Sequence, residues 1–240
     1  SLLPLTPDVD GEFLASGGVD KVRHALEAGS LPELEGVAAL RVGPPIARPG
    51  SVVGIGMNYA AHAAESGSAP PEIPVVFLKP GNTVAGPFDA APIPPNSSRY
   101  DWEVELGVVI GSPAKYVEEA DALSYVAGYC VVNDLSERAF QLEGTGQWVK
   151  GKSADTFGPI GPWLVTRDEV ADCGALDLWL EVDGHRYQQG STKTLVFGVP
   201  FLVSYLSRFM SLQPGDMISP GAPAGVGLGQ QPPVSLRPGN

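Results

Sequence analysis

The stretch Tyr100–Gly111, YDWEVELGVVIG, reads as a β-strand that is apolar from Leu106 to Ile110 yet opens with acidic side chains. Residues i and i+2 of a strand share a face, so Glu103 and Glu105 would stand side by side about 7 Å apart along it. Two carboxylates that close, beside an apolar run, repel each other and resist desolvation unless a cation joins them. A hard divalent metal meets that requirement, and so does an edge strand whose polar face meets water. From this stretch alone both readings stay open.

The surrounding composition sets the class. With 240 residues the chain can bury one sizeable core, and its 30 glycines, 24 prolines and only 18% charged residues point to turns and short strands. The expected fold is mixed α+β and β-rich, with short helices. The Pro/Gly-rich RVGPPIARPG at Arg41–Gly50 separates a small N-terminal segment, 1–50, from the main domain, 51–240. Hydrophobic content of 43% excludes disorder. A net charge of −12 with no basic run argues against nucleic acid or an anionic membrane as partner. A small anionic substrate is still compatible with it, since a few local cations and a metal can hold one. Cys130 and Cys173 lie far apart without CxxC spacing, as in a reduced compartment. No apolar run of membrane-spanning length and no signal-like N-terminus is present, so the chain is read as cytoplasmic. Ser1 is not an initiator Met and Asn240 follows a turn-like RPG, so both ends are read as open to further chain.

Along the chain, Val19–Ala28 has helical spacing and puts His24 on its polar side, in solvent. Val52–Ile55 is a short strand, followed by NYAAHAAE at Asn58–Glu65, an alanine-rich helix with His62 and Glu65 three apart on one face. A carboxylate bonded to one imidazole nitrogen fixes the tautomer and raises the basicity of the other, as a general base for water requires. An ordinary helical surface pair is the alternative. The Gly-flanked strand before this helix, and Pro70, Pro71 and Pro74 behind it, suggest a mobile lid. VVFLK delivers Lys79 to a strand end, as a substrate contact or as a solubilising charge.

The apolar strand YVAGYCVV ends at Asn133-Asp134, which adds a third carboxylate to Glu103 and Glu105. An all-oxygen set suits Mg²⁺, Mn²⁺ or Ca²⁺, and the absence of His and Cys beside it disfavours zinc. In LSERAFQ, Ser136 can cap a helix while Arg138 and Gln141 lie three apart, and Lys152 follows in KGKSADTF. Together they could bind a carboxylate and stabilise an enolate. LDLWLEV followed by Asp183-Gly184 signals a hairpin, with His185 beside the turn and facing solvent, and Phe197–Leu206 has near-helical apolar spacing. The loop Ser219–Gly227, SPGAPAGVG, lacks the Lys and Ser/Thr of a phosphate-binding loop and reads as a tight turn allowing close backbone approach to a ligand.

NYAAHAAE, DWEVELGVVIG, GYCVVNDLSERAFQ, KGKSADTFGPIGPWLVT and RFMSLQPGDMISPGAPAGVG, in this order, resemble the fumarylacetoacetate hydrolase family over about Val52 to Gly239. The resemblance implies a β-sandwich roll, usually in a homodimer, with 51–240 as its catalytic domain. It implies Mg²⁺ or a similar ion on Glu103, Glu105 and Asp134, and a water-activating His62–Glu65 dyad on a closing segment. Arg138, Gln141 and Lys152 match positions around the substrate's oxygens. Where such members commonly carry threonines, this chain has Pro220 and Ala222, so a hydroxyl contact is lost and the backbone N–H of Ala222 is the donor that remains. The implied reaction is hydrolysis of a C–C bond in a β-diketo acid, an acylpyruvate or a 2,4-diketo-3-deoxy sugar acid. The sugar-acid type is preferred because the block STKTLVFGVPFLVSYLSRFMSLQPGD is similar to members that act on such acids. Oxaloacetate-type decarboxylation, hydroxy-dienedioate isomerisation, or a metal- and ligand-binding protein with weakened catalysis remain as alternatives.

Overall fold

A computed structural model describes residues 1–240. The strands are β1 Val52–Gly56, β2 Val75–Lys79, β3 Val84–Ala85, β4 Tyr100–Asp101, β5 Val104–Ile110 and β6 Val126–Asn133. They continue with β7 Ser136–Glu137, β8 Gly158–Thr166, β9 Asp177–Val182, β10 His185–Ser191 and β11 Met217–Ser219. Short helices intervene: α1 Gly11–Ala15, α2 Gly18–Glu27, α3 Ala60–Glu65, α4 Arg138–Leu142, α5 Val149–Lys152 and α6 Val199–Phe209. Seven strands form one mixed sheet in the order β2-β1-β11-β5-β6-β8-β3. The fold is mixed and β-rich, as its composition indicates. None of the helices is long and apolar enough to cross a membrane.

The acidic stretch is not an edge. β5 is the central strand, every residue of it is buried, and it is hydrogen-bonded between β11 and β6. The wet-edge reading is therefore overturned. Nor is the stretch one continuous strand: Trp102 and Glu103 fall between β4 and β5, so the two glutamates do not sit on a single pleated strand. Past Glu105, β5 is apolar on both faces, which is how a central strand with cover on each side must read. Leu106, Val108 and Ile110 face a cluster with Val199, Leu202, Val203 and Leu206 of α6. The i, i+3, i+4, i+7 spacing of those four puts them on one helix face, and burying each is worth about 1.5–3 kcal/mol. Val109 points to the opposite layer, where Leu14 and Ile46 of the N-terminal segment pack with Cys130, Ile160 and Met217. An aspartate at Val108 would place an unpaired charge in the larger cluster and break the sheet–α6 layer.

Local signals explain the rest. β9 and β10 pair antiparallel across Asp183 (φ 52°) and Gly184 (φ 77°), the two positive φ values that a tight hairpin turn needs. The helix after β1 begins at Ala60 rather than Asn58. Asn58 is extracted from it to bond elsewhere: its side chain donates to Pro220 O (2.7 Å) and Phe197 O (3.0 Å) and accepts from Phe197 N (2.8 Å). Ser136 does not cap α4; it lies in β7, and Glu137 is the N-cap, accepting from Ala139 N at 3.0 Å.

Candidate active site

Sheet register builds the acidic cluster. Val104 pairs with Asn133 across β5 and β6, so Glu103 and Asp134 lie opposite each other just beyond the ladder. Asp134 N donates to Glu103 O at 2.8 Å, and Glu103 N donates to Asn133 Oδ1 at 3.1 Å. On the other side, Ser219 Oγ at the end of β11 and Gly221 N just beyond it each donate to Glu105 Oε2 at 2.7 Å. The three carboxylates are buried, and one oxygen of each lies within 4.8 Å of the others.

Their cations are shared unequally. Lys152 Nζ bridges Glu103 Oε2 and Asp134 Oδ2, both at 2.7 Å, and Arg138 Nη1 meets Glu103 Oε1 at 2.8 Å. Burial raises the Glu103 pKa, but Lys152, Arg138 and His62 outweigh it and hold the carboxyl well below its usual range. Glu105 has no cation. Burial first, then the charges of Asp134 and Glu103, push its pKa up to about 8. A buried carboxylate in this state, sharing an all-oxygen set with two others, fits a divalent cation as its missing partner.

Lys79 is placed neither against the cavity nor in solvent. Its side chain is 0% exposed and donates to Asp134 Oδ1 at 2.5 Å, so its charge holds a carboxylate from behind instead of reaching a ligand. Burial lowers its pKa, with Asp134 opposing.

His62 Nδ1 and Glu65 Oε1 are 2.7 Å apart, and Gly225 N donates to Glu65 Oε2 at 2.9 Å. Both carboxylate oxygens are thus engaged and the imidazole is oriented, with its Nε2 3.9 Å from Glu103 Oε1. His62, Glu103, Glu105, Arg138, Gln141 and Lys152 line one cavity of about 230 Å³, and Ala222 lines it as well. Of the residues singled out in the sequence, Asp134 and Glu65 stand one step behind this surface, each bonded to a member of it.

Three residues escaped sequence reasoning. Asp101, 1% exposed, accepts from Trp102 N (2.8 Å) and Gly227 N (2.6 Å) on Oδ1, and from Arg138 Nε (2.7 Å) and Leu228 N (2.9 Å) on Oδ2. It ties the guanidinium to the C-terminal glycine-rich loop. Gln188 accepts from Val104 N at 2.9 Å and donates to Pro223 O at 2.7 Å, fastening that loop to β5. Asn58 does the same for the chain entering α3. The signal for Asp101 was its place at the head of the acidic stretch; nothing local marks Gln188.

The sequence model of the family described as Fumarylacetoacetate (FAA) hydrolase C-terminal matches residues 51–240. A Burkholderia multivorans protein that carries only a provisional hydrolase name is 58% identical over 234 residues, 97% of this chain and 82% of that protein. A fumarylacetoacetate hydrolase from psychrophilic Exiguobacterium antarcticum superposes with a TM-score of 0.78 at 36% identity, over 86% of this chain and 73% of that one. A 2-hydroxyhepta-2,4-diene-1,7-dioate isomerase from Mycobacterium marinum gives a TM-score of 0.70 at 39% identity, over 82% of this chain and 73% of that one.

Proposed function

The chain belongs to the fumarylacetoacetate hydrolase family, and from that premise we propose that it is a divalent-metal-dependent hydrolase cleaving a C–C bond of a β-diketo acid. The substrate class is a small anionic keto acid of the acylpyruvate or 2,4-diketo-3-deoxy sugar acid type. The observation that carries this is that Glu103 and Glu105, two of the buried Glu103–Glu105–Asp134 set, line one cavity with the Glu65-oriented His62.

Glu103, Glu105 and Asp134 would hold Mg²⁺, or Mn²⁺ or Ca²⁺ in its place. When bound, such an ion supplies Lewis-acid stabilisation for the oxygens of a 1,3-dicarbonyl. The protein's own groups do the rest. Glu65 accepts from His62 Nδ1–H, leaving Nε2 to take a proton from water as its oxygen attacks the acyl carbonyl. The C–C bond beside that carbonyl then breaks and its electron pair leaves as an enolate, beside which the Lys152 ammonium, Arg138 and Gln141 lie. Proton return to the enolate carbon gives a carboxylic acid and a 2-keto acid.

Assaying acylpyruvates, oxaloacetate and diketo-deoxy sugar acids with Mg²⁺ tests the reading, with product analysis in H₂¹⁸O. The expected result is one solvent oxygen in the released acid, and a 10²–10⁴-fold loss of turnover in His62→Ala. The isomerase named among the similar structures supports a second reading, in which His62 moves a proton between carbons; an isomerised product without ¹⁸O would favour it, and CO₂ release would favour a decarboxylase. Ligand binding without turnover, unchanged by His62→Ala, would favour the binding-protein alternative that Pro220 and Ala222 raise. We carry a homodimer as part of the proposal: Val131 of β6 and Trp163 of β8 are 48% and 70% exposed on interior strands of the sheet. Sedimentation of twice the chain mass supports it, and a monomer removes it. The cytoplasm is the proposed location, tested by cell fractionation.

A further inference from the structure

The cavity has a second character that the chemistry above does not use. Gly54 and Gly56 of β1 carry no side chain where a Cβ would lie 2.2 Å from Phe77 Cζ and 2.0 Å from Trp148 Cζ3. Their absence lets two aromatic rings settle against the strand, edge to face with centroids 5.9 Å apart. Phe77 and Trp148 line the cavity together with Ile55, Met57, Leu142 and Leu228. The Phe77 ring also lies 5.2 Å from Lys152 Nζ, so the apolar wall begins beside the cation that bridges the carboxylates.

The cations of this cavity are already committed. Lys152 is bonded to Glu103 and Asp134. Arg138 uses Nε on Asp101 and Nη1 on Glu103 and Gln141, which leaves Nη2 as its one buried nitrogen without a partner. That free group can serve one anionic head. A second carboxylate would lie against the rings with no cation, at a desolvation cost nothing repays. Ser66 and Ser68 add neutral hydroxyls to the lining but no charge.

Resting on the hydrolase reading, we propose that Phe77 and Trp148 are specificity-determining residues that select a β-diketo acid with an apolar, aliphatic or aromatic acyl substituent over one ending in a polyol or a second carboxylate. This narrows the substrate to the acylpyruvate side of the class and away from the sugar acids that sequence similarity favoured.

The test is calorimetric binding to the whole chain in saturating Mg²⁺, with pyruvate, 2-oxohexanoate and 2-oxoglutarate as probes. Each buried methylene is worth about fourfold in affinity, so 2-oxohexanoate should bind about 60-fold tighter than pyruvate. It should also exceed 2-oxoglutarate by at least about tenfold, since only the latter buries an unpaired charge. In Trp148→Ala, and again in Phe77→Ala, the 2-oxohexanoate to pyruvate ratio should fall below about tenfold, because the removed ring no longer covers the chain. A wild-type ratio under about threefold, 2-oxoglutarate binding as tightly as 2-oxohexanoate, or no binding of any probe overturns the proposal, and these outcomes need no variant to fold. A ratio unchanged in both variants overturns the assignment to the rings. Tail preference without C–C cleavage of acylpyruvates counts against the hydrolase reading alone, whereas cleavage without tail preference counts against this proposal alone.

Discussion

Replacing Asp101 with asparagine should destabilise the fold far more than a neutral isostere would on the surface. All four groups that meet this side chain are donors: Trp102 N and Gly227 N on one oxygen, Arg138 Nε and Leu228 N on the other. Whichever way the amide turns, its NH₂ faces two of them. Two buried donors lose their acceptor, at roughly 1–3 kcal/mol each, and Arg138 loses one of its two buried anions while keeping Glu103. The expected loss is about 3–5 kcal/mol, a large part of the ~5–15 kcal/mol that stabilises a typical domain. Urea unfolding followed by the fluorescence of the four tryptophans measures it directly. The midpoint should fall by about 1 M or more at unchanged slope, taking a slope near 3 kcal/mol/M. A shift worth less than about 1 kcal/mol would refute the claim that Asp101 is a fully engaged buried acceptor.

Other expectations follow from the same geometry. Lys79→Met leaves Asp134 with Lys152 as its remaining cation, which should cost about 3–5 kcal/mol without metal. Because a divalent ion would replace the lost charge, saturating Mg²⁺ should raise the melting temperature more in this variant than in the wild type; equal gains would contradict the placement of Lys79 behind a ligand. Gly225 has φ 107°, and a Cβ there would lie 2.0 Å from Tyr187 O. Gly225→Ala should therefore cost roughly 3–5 kcal/mol in urea unfolding and lower turnover with it, since Gly225 N holds Glu65; a melting temperature equal to wild type would be inconsistent with this loop geometry. Burial pushes the Cys130 thiol up to about 12, so at pH 8 it stays protonated in the native state. It should react with a thiol reagent only as fast as the protein unfolds, and rapid native labelling would contradict the burial.

What was legible in the sequence is what local chemistry marks. The hairpin at Asp183-Gly184 needs two positive φ values and carries the residues that tolerate them. Asp134 was legible because an apolar strand visibly ends there, and His62 with Glu65 because helical spacing brings them together. The position of β5 was not, since a central strand and an edge strand differ in their neighbours, and β11 joins it from more than a hundred residues away. The same distance hid the roles of Lys79, Asp101 and Gln188. A strand-end lysine looks solvated until the fold sets it behind Asp134. Asp101 shows no role until its four donors, three of them backbone N–H groups, are assembled from separate segments. The aromatic wall was equally hidden, because the glycines of β1 show their use only when Phe77 and Trp148 lie on them.

The central claim is that Glu103, Glu105 and Asp134 form a divalent-cation site, and Glu105→Gln tests it with least disturbance. The glutamine carbonyl can still accept from Ser219 Oγ and Gly221 N, so circular dichroism should be unchanged. Titration of Mg²⁺ or Mn²⁺ by calorimetry should show one ion per wild-type chain and no measurable binding to the variant. Equal affinity in the two proteins would contradict the site.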